Sequence, residues 1–411
     1  MTQPDHVEKL APDRRGAFSW LRSPALRRVT DALEAAAPGG ARFVGGCVRD
    51  SLLGETPKDF DIATTLLPDA VMRAAAAANL KTVPTGIEHG TVTVIVDHQG
   101  VEVTTLRADV STDGRRASVA FTEDWAVDAG RRDFTVNAIY VSPDGAILDP
   151  VGGLGDIKAA RIRFIGLAQE RIREDYLRIL RFFRFSARFS ENLDQDGLSA
   201  CVACRSGVKS LSAERIGAEM MAILRLPRAD FAIQGMRETG VLSEIWDKAP
   251  DIAALKAIKA IAPDAPAPIV LSALFPAVDD GLGAALRLSN AEKAMRARAL
   301  RAEAEISHLL SERALRRLAY HHGREAMLDG LALAAARGGI SRENRARLAE
   351  NLLSSPVAKF PLTGKDVVAK GVKPGPAVSK ILAKTEAQWI DEDFPDSERL
   401  AEILDAAMAS A

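Results

Sequence analysis

The chain has 411 residues, 47% hydrophobic and 27% charged, the composition of a folded protein with room for roughly two to four domains. Its net charge is −1, so a nucleic-acid surface must be a local basic patch balanced by acid elsewhere. No window is apolar enough to span a membrane, residues 1–15 show no export signal, and three cysteines make no disulfide framework, so the expectation is a cytoplasmic protein with no membrane partner.

Aromatic residues are only 5% while alanine and arginine are plentiful, which predicts many helices and few strands. Residues 1–17 read as a polar arm. Leu21, Leu26, Val29 and Leu33 give 20–37 helical periodicity, ended by Pro38-Gly39-Gly40. Phe43-Val44 is a short strand running into Gly45-Gly46, where a backbone can approach a bulky anion closely. Val48 to Leu53 then reads as a short helix closed by Gly54. Its first N–H groups attract phosphate, and Arg49 adds positive charge. Lys58 to Ile62 reads as a second strand. Residues two apart share a face, so Asp59 and Asp61 point one way, and Phe60 and Ile62 point into a core. Two carboxylates on one face repel unless a cation lies between them. Hard oxygen ligands favour Mg²⁺, which also takes substrate phosphates. A bare Asp-x-Asp is ordinarily a solvated strand end; the glycine pair and Arg49-Asp50 beside it set this one apart.

The run GGCVRDSLLG followed by KDFDIATT resembles the class II tRNA nucleotidyltransferases and bacterial poly(A) polymerases of the polymerase-beta-like superfamily. The resemblance implies an α+β chain. A nucleotidyltransferase head with a mixed β-sheet and helices would cover 18–166. An all-α neck (167–227), body (228–350) and tail (351–411) would follow.

Pro68 to Asn79 reads as an alanine-rich helix. Strands are predicted at 91–96 and 101–106, with a turn between them. Glu102 shares a face with Thr104. A lone strand glutamate is usually a surface residue, but VEVTTLR is similar to the family's third-carboxylate strand, which implies a metal or base role for Glu102. Arg107 to Asp128 lacks periodicity, and loops this long are usually functional or disordered. The resemblance implies a mobile loop needed for the final adenosine addition, with Arg107, Asp109, Arg115 and Arg116 fitting its pattern. Arg131 to Ala138 is predicted to enter an apolar strand ending at Val141. Two arginines can neutralise a triphosphate, and an aspartate can accept from ribose hydroxyls. The family's RRDFTxNA is matched at every fixed position, which assigns Arg132 to the nucleotide, Asp133 to the ribose and Asn137 to the same pocket. The glycine-rich turn 149–156 lacks a full dinucleotide fingerprint. The family implies a hinge there, with Asp149 and Asp156 capping.

From Glu170 onward the chain reads as helical. Asp175 and Arg178, three apart, fall on one helix face, with Glu174 and Arg181 nearby and Glu174 able to brace the arginine. An acceptor beside a donor fork suits cytosine or adenine, whereas uracil and guanine would set a carbonyl against Asp175. A surface ion pair is the commoner use of such spacing, but the family motif EDxxRxxR assigns Asp175, Arg178 and Arg181 to the nucleotide. Cys201-x-x-Cys204 has no second ligand pair, so core thiols are expected rather than zinc. The stretch 211–226, with Glu214-Arg215 and Glu219, resembles the family's fifth motif and should brace the base-reading helix. In the basic run 287–324, Arg296, Arg301 and Arg317 are RNA-phosphate candidates, although a solvated helix face is the default for such a run. Residues 360–384 lack Walker spacing. Similar family tails hold the tRNA elbow, which nominates Lys365 and Lys373.

These readings point to a template-independent, Mg²⁺-dependent nucleotidyltransferase, a monomer or homodimer, that uses CTP and ATP to build the CCA end of tRNA. The rivals are a poly(A) polymerase, an A-only tRNA nucleotidyltransferase and an inactive RNA-binding protein. The first lacks support because 83–91 shows no basic GRRF-type segment. The intact Asp59, Asp61 and Glu102 argue against the last.

Overall fold

A computed structural model describes residues 7–9, 16–112, 117–277, 281–308 and 310–410. The chain gathers into two compact units, 1–247 and 248–411.

The first unit holds an eight-stranded mixed sheet. In chain order its strands are β1 (Val7–Lys9), β2 (Ala41–Val44), β3 (Asp61–Thr64), β4 (Lys81–Gly86), β5 (Thr91–Val96) and β6 (Gln99–Thr105). A separate hairpin follows, β7 (Arg107–Thr112) with β8 (Ala117–Phe121); then β9 (Tyr140–Val141) and β10 (Ala146–Leu148) return to the main sheet. Its spatial order is β1-β10-β9-β2-β3-β6-β5-β4. Only β3 and β6 run parallel, with Asp61 opposite Glu102. The neighbouring β2 pairs antiparallel to β3, with Val44 opposite Asp61. Alternation sets the buried face: Val92, Val94 and Val96 on β5 and Val101 and Val103 on β6 are buried. Helices α1 (Pro24–Ala36) and α3 (Pro68–Ala77) pack together against β5, burying Leu26, Val29 and Leu33 and Val71, Ala74 and Ala75. Between them in sequence lies α2 (Gly46–Leu52). The rest of the unit is helical: α4 (Trp125–Gly130), α5 (Gly153–Lys158), α6 (Ala168–Glu174), α7 (Leu177–Phe189), α8 (Gln195–Cys204) and α9 (Ala213–Arg225), followed by Ala229–Glu238 and Val241–Ile245. Cys201 and Cys204 are buried free thiols in its core.

Four local expectations need correction. Asp59 precedes β3 rather than lying on it, because the ladder starts where Val44 and Glu102 both pair with Asp61. The described part of 107–128 is a hairpin plus α4, not a structureless loop. Main-chain pairing holds β7 to β8, and such pairing does not require an apolar alternation. The strand ending at Val141 is present but is only Tyr140–Val141, and residues 131–139 lead into it without joining the sheet. Asp133 Oδ1 accepts from Phe134 N at 2.8 Å, and Thr135–Asn137 coils into a 3₁₀ turn before β9. The helix from Glu170 breaks at Asp175, which is extended at φ −156°, ψ 105°, while its Oδ1 accepts from Leu177 N at 3.1 Å at the start of α7. Asp175 and Arg178 therefore do not share a helix face.

The hinge capping holds for Asp149, which accepts from Gly153 N and Leu154 N at 2.8 and 2.9 Å. Asp156 instead gathers Thr135 Oγ1, Arg161 and Arg163.

The second unit is helical, with ten helices among its described residues. One core gathers Leu315, Met327, Leu331 and Leu348; another sets Trp389, Ile390 and Leu400 against Tyr320, Phe360 and Phe394. Arg296 is only 4% exposed. It donates to Ser272 Oγ and to the carbonyls of Phe275 and Ala277 at 3.0–3.4 Å, so it secures the end of helix Ala267–Leu274 and is no RNA contact. Arg301, Lys365 and Lys373 are exposed, and Arg317 pairs with Asp391 at 2.9 Å.

Candidate active site

The site is built on the turn between β2 and α2. Gly45 has φ +76° and ψ −128°, a conformation that side chains resist. A Cβ placed there would lie 3.8 Å from Asp61 Oδ2 and 4.0 Å from Arg132 Nη1. Turn, carboxylate and guanidinium thus surround one spot. Sheet register brings Glu102 alongside Asp61. Burial, then the charge of Glu102, push the Asp61 carboxyl up to about 6; Asp59 adds to this and Arg132 opposes it. Three carboxylates thus lie close enough to act on one another.

Arg132 is oriented by Asp128, which it reaches at 3.2 and 3.0 Å, and by the ring of Tyr140, 5.4 Å away. A second chain of contacts runs from α2 to α7. Arg49 Nη1 donates to Asn137 Oδ1 at 2.6 Å, and Asn137 Nδ2 donates to Asp133 Oδ1 at 2.9 Å. Arg181 donates to Asp133 Oδ2 at 2.8 and 2.6 Å. Burial alone would raise Asp133. Arg181, Asn137 and the Phe134 N–H outweigh it and hold the carboxyl below the usual range. Phe185 lies under three guanidinia, those of Arg49, Arg181 and Arg184, at 5.0, 5.1 and 4.4 Å.

The neck side is held by further pairs. Arg178 donates to Glu174 at 2.5 Å, to Arg171 O at 2.7 Å and to Arg131 O at 3.1 Å, so the expected bracing by Glu174 is present. Asp175 is held by Arg215 of α9 at 2.7 Å, while Glu219 of α9 grips Arg184 at 2.6 Å. The stretch 211–226 braces this wall, as its pattern suggested.

The structure therefore brings Gly45, Asp61, Glu102 and Arg132 together and links Asn137, Asp133 and Arg181 behind them. Arg49 departs from its expected place. It is 6% exposed and bound to Asp50 and Asn137 with Phe185 and Phe189 against it, so it ties α2 to α7 rather than facing open space. Arg107 lies at the start of β7, its side chain donating to His89 O and its N–H to Asp128. Asp109 is within β7, and Arg115 and Arg116 lie outside the described residues. The sequence reading missed Asp128 and Tyr140. The spacing of Asp128 to Arg131 and Arg132, three and four residues, was the available signal for the first.

Residues 41–163 match the Poly A polymerase head domain, and 192–256 match a domain described as the probable RNA and SrmB-binding site of polymerase A. The CCA tRNA nucleotidyltransferase 1, mitochondrial, of Mus musculus is 39% identical over 232 residues, 56% of this chain and 53% of that protein. The chain thus spans about half the length of this and the other mitochondrial relatives it matches. The CCA-adding enzyme of Levilactobacillus brevis is 30% identical over 369 residues, 87% of this chain and 91% of that protein. Among solved structures, the Bacillus stearothermophilus CCA-adding enzyme in complex with CTP aligns with TM-score 0.75 and 29% identity over 94% of this chain and 99% of the other. Among the described residues no helix is long and apolar enough to cross a membrane. Because the Levilactobacillus relative is 30% identical along nearly its full length, the chain belongs to the family of CCA-adding enzymes.

Proposed function

We propose that the protein adds C, C and A from CTP and ATP to the 3′ end of tRNA without a nucleic-acid template. The observation that carries this reading is Asp61 in register with Glu102, its acidity weakened, beside Gly45 and Arg132. The RNA 3′ oxygen attacks the α-phosphorus of the nucleotide, a new P–O bond forms, and the bond to pyrophosphate breaks. The turn at Gly45-Gly46 lets the triphosphate approach the main chain, and Arg132 offers it a fixed positive charge. Asp133, pinned by Arg181, orients the ribose. Asp175 and Arg178 present an acceptor and a donor fork to the base edge, each held by its own partner rather than by the other.

The donor set suits magnesium. Among the described residues no three acidic, His or Cys side chains cage an ion by themselves, and magnesium is characteristically held by one or two carboxylates plus substrate oxygens and water. Asp59 and Asp61 would hold it, with Glu102 alongside. When bound it would lower the pKa of the attacking hydroxyl and offset the charge on the leaving pyrophosphate. Three free buried thiols suit a reducing compartment such as the cytosol. We further divide the chain after residue 166 into neck, body and tail. The exposed Arg301, Lys365 and Lys373, with Arg317, would meet RNA phosphates in a monomer or homodimer.

Incubation with tRNA lacking its terminal triplet, Mg²⁺ and each labelled nucleotide tests this. CTP alone should add two residues, and ATP one more after them. A long tail from ATP alone would mark a poly(A) polymerase, no CTP incorporation but one A on tRNA already ending in CC an A-adding enzyme, and no incorporation on either RNA an inactive RNA binder.

A further inference from the structure

Asp128 lies in α4 with 1% of its surface exposed, and three parts of the first unit converge on it. Its Oδ1 accepts from Arg131 Nε and Nη2 at 3.0 and 2.8 Å and from the main-chain N–H of Arg107, the first residue of β7, at 3.3 Å. Its Oδ2 accepts from Arg132 Nε and Nη2 at 3.2 and 3.0 Å and from the Tyr140 hydroxyl at 2.7 Å. Burial alone would raise this carboxyl; Arg132, Arg131 and Tyr140 outweigh burial and hold it below the usual range.

What the carboxylate holds matters more than its own charge. Two adjacent guanidinia repel, and one anion between them fixes both. Arg132 is thereby aimed at the Gly45 turn and Asp61. Arg131 is fixed with its carbonyl toward Arg178, which donates to it at 3.1 Å, and the adjacent Gly130 carbonyl accepts from Arg171 at 3.0 Å. The base of the hairpin is anchored to the same carboxylate through Arg107 N.

We propose that Asp128 is a positioning residue for nucleotide binding, setting Arg132 at the glycine turn and keeping it in register with Arg178 and with the β7–β8 hairpin. The inference rests on the nucleotidyl-transfer reading and deepens it. It does not require Asp128 to touch the nucleotide. Asparagine has the same shape but no charge, so Asp128→Asn keeps the packing and releases the two guanidinia.

The test is calorimetric CTP binding without RNA, together with steady-state kinetics. Asp128→Asn should weaken the Kd for CTP about tenfold and raise KM for CTP by the same factor, leaving KM for RNA within about twofold. Tyr140→Phe, which removes one hydrogen bond, should shift both in the same direction by about threefold. A folded variant with unchanged CTP binding overturns the proposal, as does a parallel rise in both KM values. If circular dichroism shows that Asp128→Asn does not fold, Tyr140→Phe decides alone. Wild-type protein that binds CTP but transfers nothing refutes the transfer reading, and the calorimetric comparison still judges Asp128.

Discussion

The two walls of the candidate site are charged in opposite ways and treat that charge differently. At the start of β3, Asp59, Asp61 and Glu102 act on one another, and the cation facing them, Arg132, is already committed to Asp128. Across α6 and α7, all six arginines from Arg171 to Arg188 have a partner. Arg171 and Arg178 share Glu174, Arg173 meets Gln169, Arg181 meets Asp133, Arg184 meets Glu219, and Arg188 meets Asp50 and Glu55. The first wall crowds like charge against a partly buried carboxyl. The second is balanced in itself and serves as a shaped surface. Charge imbalance, rather than charge content, separates the chemistry from its scaffold.

The sharpest way to break that contrast is to neutralise the unbalanced side. Asp61→Asn should lower incorporation about a thousandfold while RNA still binds, because several kcal/mol of transition-state stabilisation would go with the cation. Retained turnover would refute the assignment. The same change should stabilise the fold at neutral pH. The Asp61 carboxyl titrates at 3.8 ordinarily and at about 6 in the folded protein. The native state therefore holds this proton more tightly, and the contribution of Asp61 to stability is greatest below about pH 4 and declines as pH rises to about 6. Asparagine escapes that decline. Above pH 6 the variant should be more stable by about 1–3 kcal/mol, an advantage that disappears in acid.

Breaking the balanced wall should act on the fold instead. Arg181→Ala leaves Asp133 buried without its ionic partner, and loss of one member of a buried pair costs about 3–5 kcal/mol. Urea unfolding should show that loss with the m-value unchanged. A drop in activity with stability intact would make Arg181 a direct ligand and blur the contrast. Arg178→Ala is milder, because Glu174 keeps its pairing with Arg171 and the other two partners are neutral carbonyls. It should relax discrimination against UTP about tenfold, read as a ratio of kcat/KM values; an unaltered ratio would remove Arg178 from base selection.

The unbalanced wall was legible in part from backbone rules. The glycine pair after a short strand was readable from the residues, whereas Glu102 beside Asp61 was implied by the family resemblance, because the pairing of β3 with β6 is a long-range contact that alternation does not show. The balanced wall was legible in its motifs but not in its backbone. A helix through Asp175 fits the periodicity of 170–189, and nothing local reveals that the Asp175 side chain breaks it by bonding Leu177 N. Asp133 and Asn137 delayed the predicted strand to Tyr140–Val141 in the same way, through short-range bonds that compete with a ladder. Arg49 looked like a phosphate ligand because nothing in its own segment foretells Phe185 and Phe189, which arrive from α7.

Arg296 and Arg301 carry the contrast into the second unit at its smallest scale. They sit five residues apart on one helix, Asn290–Ala304, and read alike in sequence. Arg296 is buried against the carbonyls of Phe275 and Ala277, whereas Arg301 is exposed. If exposure decides which cation can meet RNA, Arg301→Ala should reduce the salt dependence of tRNA binding by about one phosphate contact, leaving stability within about 0.5 kcal/mol. Arg296→Met should do the reverse. It strands buried acceptors, lowers stability by about 1–3 kcal/mol, and leaves the slope of log Kd against log salt where it was. Binding measured between 50 and 200 mM salt, a range wide enough to resolve one contact, separates the two. A slope that changes with Arg296 but not with Arg301 would mean that RNA binding depends on how helix Ala267–Leu274 is held and not on the cations displayed at the surface.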